Sequence, residues 1–109
     1  MAARLRSDLQ VSALQRTAEG EGLIFTVLKK GHEEGGMILL KWVEGREARL
    51  FAEGAVGDDR GWIARGEEPV PEFEANEMIR SEESFDPDLW VIEVMGSFSR
   101  IARLLTPIG

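Results

Sequence analysis

The chain has no cysteine, one histidine and no apolar run longer than four residues. The missing cysteines exclude disulfides, zinc ribbons, iron–sulfur clusters and thiol nucleophiles together. Because His32 is the only imidazole, any Ser–His–Asp arrangement would need it as base. The longest apolar runs, Met37 to Leu40 and Leu89 to Ile92, fall far short of the roughly 20 residues that span a bilayer. Met1 to Gln10 carries two arginines and no apolar core, so no secretory signal is expected, and absent cysteine pairs also suit the cytoplasm. There is no G-x-G-x-x-G or G-x-x-x-x-G-K-[ST] loop to cradle a phosphate, and no G-x-S-x-G nucleophile elbow. No cofactor is expected.

Basic charge is also scarce. Thirteen Lys and Arg face twenty Asp and Glu, for a net charge of −7. That balance opposes association with nucleic acid or anionic membrane. Residues 67 to 88 hold nine acids and only Arg80 as a base, so this segment carries −8 and the remainder +1. At 109 residues the chain is sized for one domain, 1–109, with one ordinary core.

The spacing predicts a first helix over Ser7 to Ala18, with Ser7 and Gln10 at capping-box separation and Val11, Leu14 and Ala18 on one face. Gly20 or Gly22 suits its left-handed end. Leu23 to Leu28 reads as a strand, and polar Lys30 to Gly36 as a hairpin connection into a second strand, Gly36 to Val43. Ile38, Leu40 and Trp42 share one face of that strand; Met37, Leu39, Lys41 and Val43 share the other, which predicts a central position. Gly45 marks a turn into a third strand, Ala48 to Ala52. Gly54 to Gly61 reads as a loop, and Trp62 to Arg65 as a short fourth strand. Pro69-Val70-Pro71 breaks the chain before a second helix, Pro71 to Ser84, which Pro87 stops. Leu89 to Met95 is a further strand. Residues 97 to 108 fit either a helix capped by Ser97 or a hairpin. The expected fold is α+β: a mainly antiparallel sheet of about four to five strands with two helices packed against it.

Candidate chemistry is sparse. Asp86 and Asp88, two residues apart beside Glu82 and Glu83, have a spacing that serves a hard divalent cation in an extended segment. Helix termination by Pro87, with the aspartates bonding nearby backbone N–H groups, accounts for them more economically. Glu93 is the only acid inside an apolar strand, and pairing with an arginine or facing solvent outweighs catalysis there. Trp42 and Trp90 belong to the core. Trp62, near Arg60 and Arg65, is the best candidate for an exposed aromatic anchor, because Trp and Arg dominate interface hot spots.

Phe85-Asp86-Pro87-Asp88-Leu89-Trp90-Val91-Ile92-Glu93-Val94 resembles the helix-to-strand segment of a small alphaproteobacterial family, domain of unknown function 1491. Val11-Ser12-Ala13-Leu14 is similar to that family's first helix, and Gly36-Met37-Ile38-Leu39-Leu40-Lys41 to its second strand. The resemblance implies a fold-sized unit in a bacterial cytoplasm and brings no activity or site residues. No catalytic set is expected. The function favoured by elimination is a non-catalytic interaction or regulatory module. Its partner would meet Glu72, Glu74, Glu77, Glu82 and Glu83, with Trp62, Arg60 and Arg65 as a second patch. The alternative is a small enzyme or divalent-metal protein built on Asp86 and Asp88. Self-association through an open sheet edge is a third option.

Overall fold

In the computed structural model, which describes residues 5–56 and 59–105, a five-stranded sheet lies between helices on both faces. The chain order is α1 (Ser7–Gly20), β1 (Ile24–Lys29), β2 (Ile38–Glu44), β3 (Glu47–Val56), β4 (Asp59–Pro71), α2 (Glu72–Phe85) and β5 (Trp90–Met95). A 3-10 turn (Phe98–Arg100) and a short α3 (Ile101–Leu104) follow. The α+β expectation and the mainly antiparallel sheet both hold, the one parallel pair being β2 with β5.

Period-two alternation divides the core. Ile38, Leu40 and Trp42 of β2 and Trp90, Ile92 and Val94 of β5 pack under α1 and α3 with Val11, Ala18 and Leu104. Leu39, Val43 and Val91 pack on the opposite face under Ala75 and Ile79 of α2. Both indoles at the centre are satisfied: Trp42 Nε1 donates to the Gly96 carbonyl at 3.0 Å and Trp90 Nε1 to that of His32 at 2.8 Å. The tail is helical, and Ser97 caps it by accepting from the Ser99 N–H. Residues 106–108 of that expectation lie outside the described residues.

The strand order β1-β5-β2-β3-β4 overturns the expected hairpin between the first two strands. β5 inserts between them, so Lys30–Met37 must pass over its starting end. The loop is bonded there through His32 N–H to the Asp88 carbonyl (2.9 Å) and Trp90 N–H to that of Met37 (2.8 Å). A Cβ at Gly31 or Gly36 would collide with the Asp88 carbonyl, so these glycines serve a close crossing rather than a hairpin turn. The tight turn is at Gly45-Arg46, where Gly45 has φ +63° and closes the β2–β3 pair at Glu44 and Glu47.

Three further readings are corrected. Ser7 does not form a capping box: its hydroxyl donates to the Gly36 carbonyl, while the first helical N–H groups, of Ser7 and Asp8, donate to Glu34 and Glu33. Loop carbonyls thus take the role of the cap. Beside this junction the Arg6 guanidinium hydrogen-bonds Asp8 and holds its carboxyl below the ordinary value. The expected loop from Gly54 instead continues the ladder through Gly54–Gly61 and Val56–Asp59, with its tip outside the described residues. Pro69 and Pro71 do not end the fourth strand, because β4 is a sheet edge where a missing N–H faces no partner.

Candidate functional site

Helix α2 begins where Glu72 N–H donates to the Arg46 carbonyl at 2.9 Å, with Glu72 and Glu74 in the first turn where the helix dipole favours acids. Ala75 and Ile79 are buried and Met78 packs beside them, a narrow stripe that seats the helix on β3 and β4. The five glutamates assigned to a partner surface then separate by helical spacing. Glu72 turns inward, its carboxylate 2.7 Å from Lys41 Nζ. Glu82 reaches Arg65 at 3.0 Å on β4. Glu83 is half-buried, and Glu74 and Glu77 face outward with no ion-pair partner among the described residues. Glu67 and Glu68 are exposed where β4 bulges around Gly66, and Arg49 binds the Gly66 and Glu67 carbonyls there.

Two rings complete this surface: Phe73, which the sequence did not single out, and Phe85, whose spacing suggested an extension of the Ala75–Met78–Ile79 stripe but which is exposed. Phe73 is 68% exposed and Phe85 is 86% exposed, at the two ends of α2. For Phe73 the signal lay in its spacing, nearly opposite the Ala75–Ile79 stripe; Phe85, seven residues beyond Met78, is exposed as the last residue of the helix. A helix outside combining carboxylates with bare phenyl rings is suited to a surface that is both basic and apolar.

The second patch is split across the sheet. Trp62 is half-buried on the α1 side, where with Leu14, Thr17 and Leu104 it lines an apolar cavity of about 270 Å³. Arg65 points to the α2 side, toward Glu82. Arg60 pairs with Ala55 in the β3–β4 ladder, and its side chain lies outside the described residues.

Asp86 and Asp88 sit at an open cleft with His32, Gly35, Gly36 and Met37. Asp86 Oδ1 accepts the Asp88 N–H at 3.1 Å, and the Asp86 carbonyl accepts the Leu89 N–H at 3.2 Å, so the pair organises the turn around Pro87. Among the described residues no three His, Asp or Glu side chains converge as a metal would require. His32 Nδ1 accepts from the N–H groups of Glu34 and Gly35, both at 3.3 Å, which engages the ring in its own loop.

Glu93 is partnered by a lysine rather than an arginine: Lys41 Nζ lies 3.2 Å from its carboxylate. Lys41 is 4% exposed on the central strand and bridges Glu72 and Glu93, tying α2 to the sheet. Its place was visible as the single basic residue of β2, matching the single acid of β5. No helix among the described residues is long and apolar enough to cross a membrane.

Comparison with known proteins places this arrangement. No curated protein matches the chain. A crystal structure of a DUF1491 family protein from Caulobacter crescentus CB15 is similar at 35% identity and a TM-score of 0.81, covering 94% of this chain and 96% of that one. A solution structure of a protein from A. tumefaciens is similar at 28% identity and 0.77, covering 95% and 94%. The sequence profile of the family described as a protein of unknown function (DUF1491) matches residues 5–100. On that match, and on the likeness to a relative at 35% identity over 94% of the chain, the chain belongs to the DUF1491 family.

Proposed function

We propose that the protein is a non-catalytic interaction or regulatory module of the bacterial cytoplasm that offers the outer face of α2 to a basic protein partner. The observation that carries this reading is the exposure of Phe73 and Phe85 on a helix whose outward charges are Glu74, Glu77 and Arg80. The two rings give an acidic helix apolar contact area that a partner can cover. Acidic surroundings steer a cationic partner onto the face, and the rings supply contact area once it has docked. Glu83 lies on the flank of the face, whereas Glu72 and Glu82 hold the helix in place for it.

The test is affinity capture from native lysate at low salt with three baits: wild type, Glu74→Lys/Glu77→Lys, and Phe73→Ser/Phe85→Ser. A stoichiometric protein with a basic surface should be retained by the wild type and released between about 0.05 and 0.5 M salt, as screening shortens the field. Each double variant should weaken its binding by at least about tenfold, a hot-spot-sized loss. Equal retention by all three baits, or retention indifferent to salt, would remove α2 from the interaction.

A further inference from the structure

We propose that β1 is a self-association edge, along which two copies of the chain pair antiparallel and join their sheets into one of ten strands. β1 has β5 on one side, and no strand of the described residues lies on the other. Its outer row of backbone N–H and C=O groups is a template for another strand. Folded proteins blunt such edges with proline, charge or a covering element. The opposite edge, β4, carries these devices: Pro69, Pro71, Arg65, Glu67 and Glu68 all lie on it. β1 lacks them. It has no proline, and Ile24 to Leu28 carry no charge. Lys29, the residue that would protect it, folds inward to donate from Nζ to the carbonyls of Pro87 and Leu89, both at 2.8 Å.

What β1 presents is apolar. Ile24 is 62% exposed and Leu28 50%, and exposed Val27 and Met95 adjoin them, Met95 being the β5 residue paired with Ile24. The flanking charges choose the occupant. Glu19 and Glu21 precede the strand and Lys30 follows it. Within the chain Glu21 lies 3.5 Å from Arg103 and Lys30 3.3 Å from Glu33, weak surface pairs that can exchange partners. A second copy running antiparallel brings Glu21 of each chain toward Lys30 of the other, at both ends at once. Centred on a Thr26–Thr26 pair, this register also sets Ile24 opposite the second copy's Leu28 and Phe25 opposite its Val27, so apolar faces apolar on either side of that pair. The irregularity between Val27 and Lys29 limits the regular stretch, and an interface this short belongs to the weak, reversible class.

The chain's lack of cysteine makes the test direct. Directly opposed residues of an antiparallel pair have Cα atoms about 4.5–5.5 Å apart, within disulfide range. Under a mild thiol–disulfide buffer, Thr26→Cys should therefore form covalent dimers at least about tenfold faster than Gln15→Cys, an exposed control on α1. Sedimentation of the uncross-linked wild type should show the mass rising from one chain toward two between about 10 µM and 1 mM. Leu28→Lys and Glu21→Lys should each raise the dissociation constant at least about tenfold, and adding Lys30→Glu to Glu21→Lys should restore it. A one-chain mass throughout, equal cross-linking of the two cysteine variants, or a dimer indifferent to Leu28→Lys would overturn the proposal. Failure of the charge swap would overturn the antiparallel register. Near-ultraviolet dichroism of each variant confirms that the fold is retained.

Discussion

A lysine in the middle of a sheet has to be neutralised where it lies. Lys41 is flanked on β2 by Leu40 and Trp42, both fully buried, and its ammonium meets Glu93 from the neighbouring strand and Glu72 from α2. Removing water from such a group costs several kcal/mol, which the two carboxylates offset through short contacts. The penalty is therefore asymmetric. Lys41→Met should destabilise the protein by about 3 kcal/mol, because Glu93, only 16% exposed, is left without its cation. Lys41→Met combined with Glu93→Leu should recover most of that loss, since an apolar pair of similar volume needs no compensation. Urea unfolding of the wild type, the two single variants and the double variant measures this as a coupling energy. Additive losses would mean that the residues do not act as a pair.

At the scale of elements, α2 has two unlike sides, and stability should distinguish them. Ile79→Ala opens a cavity against Leu39, Leu50 and Val91 and should cost about 2–4 kcal/mol. Phe73→Ser and Phe85→Ser should each leave stability within about 0.5 kcal/mol, because the rings already face water. Thermal melts of the three variants are the measurement, and a large loss at Phe85 would assign it to the fold rather than to a partner. The same two-sidedness explains what the sequence disclosed. Alternation identified β2 as central and put Lys41 on the Leu39–Val43 face, and Pro87 located the end of α2. Strand neighbours were hidden, because the pairing of β1 with β5 joins segments about seventy residues apart and leaves no local mark. Gly31 and Gly36 accordingly resembled hairpin glycines, since a tight crossing and a tight turn ask for the same residue. Of the α2 acids, sequence placed all five on one helix. Only the register of that helix against Lys41 and Arg65 separates those that hold it from those that face outward.

For the whole molecule, the inserted strand governs how folding proceeds. β5 is the second strand of five by position and the last by sequence, and it contributes Trp90, Ile92 and Val94 to one core and Val91 to the other. Until it arrives, β1 has no neighbour, β2 is an edge, and neither core is closed. The chain should consequently behave as one cooperative unit rather than as a stable β2–β4 meander with later additions. A fragment ending at Asp88 should show no cooperative thermal transition, and the full chain should fold in milliseconds to seconds, as expected when long-range pairings dominate. The three tryptophans report separate regions: Trp42 on the central strand, Trp90 on the inserted one and Trp62 on the β3–β4 ribbon. Variants retaining each tryptophan alone, with the other two replaced by Phe, should unfold together in urea by fluorescence and by far-ultraviolet dichroism, once each is referred to its own stability. If Trp62 alone reported an earlier transition, the β3–β4 ribbon would be a separate unit that melts before the inserted strand releases the core.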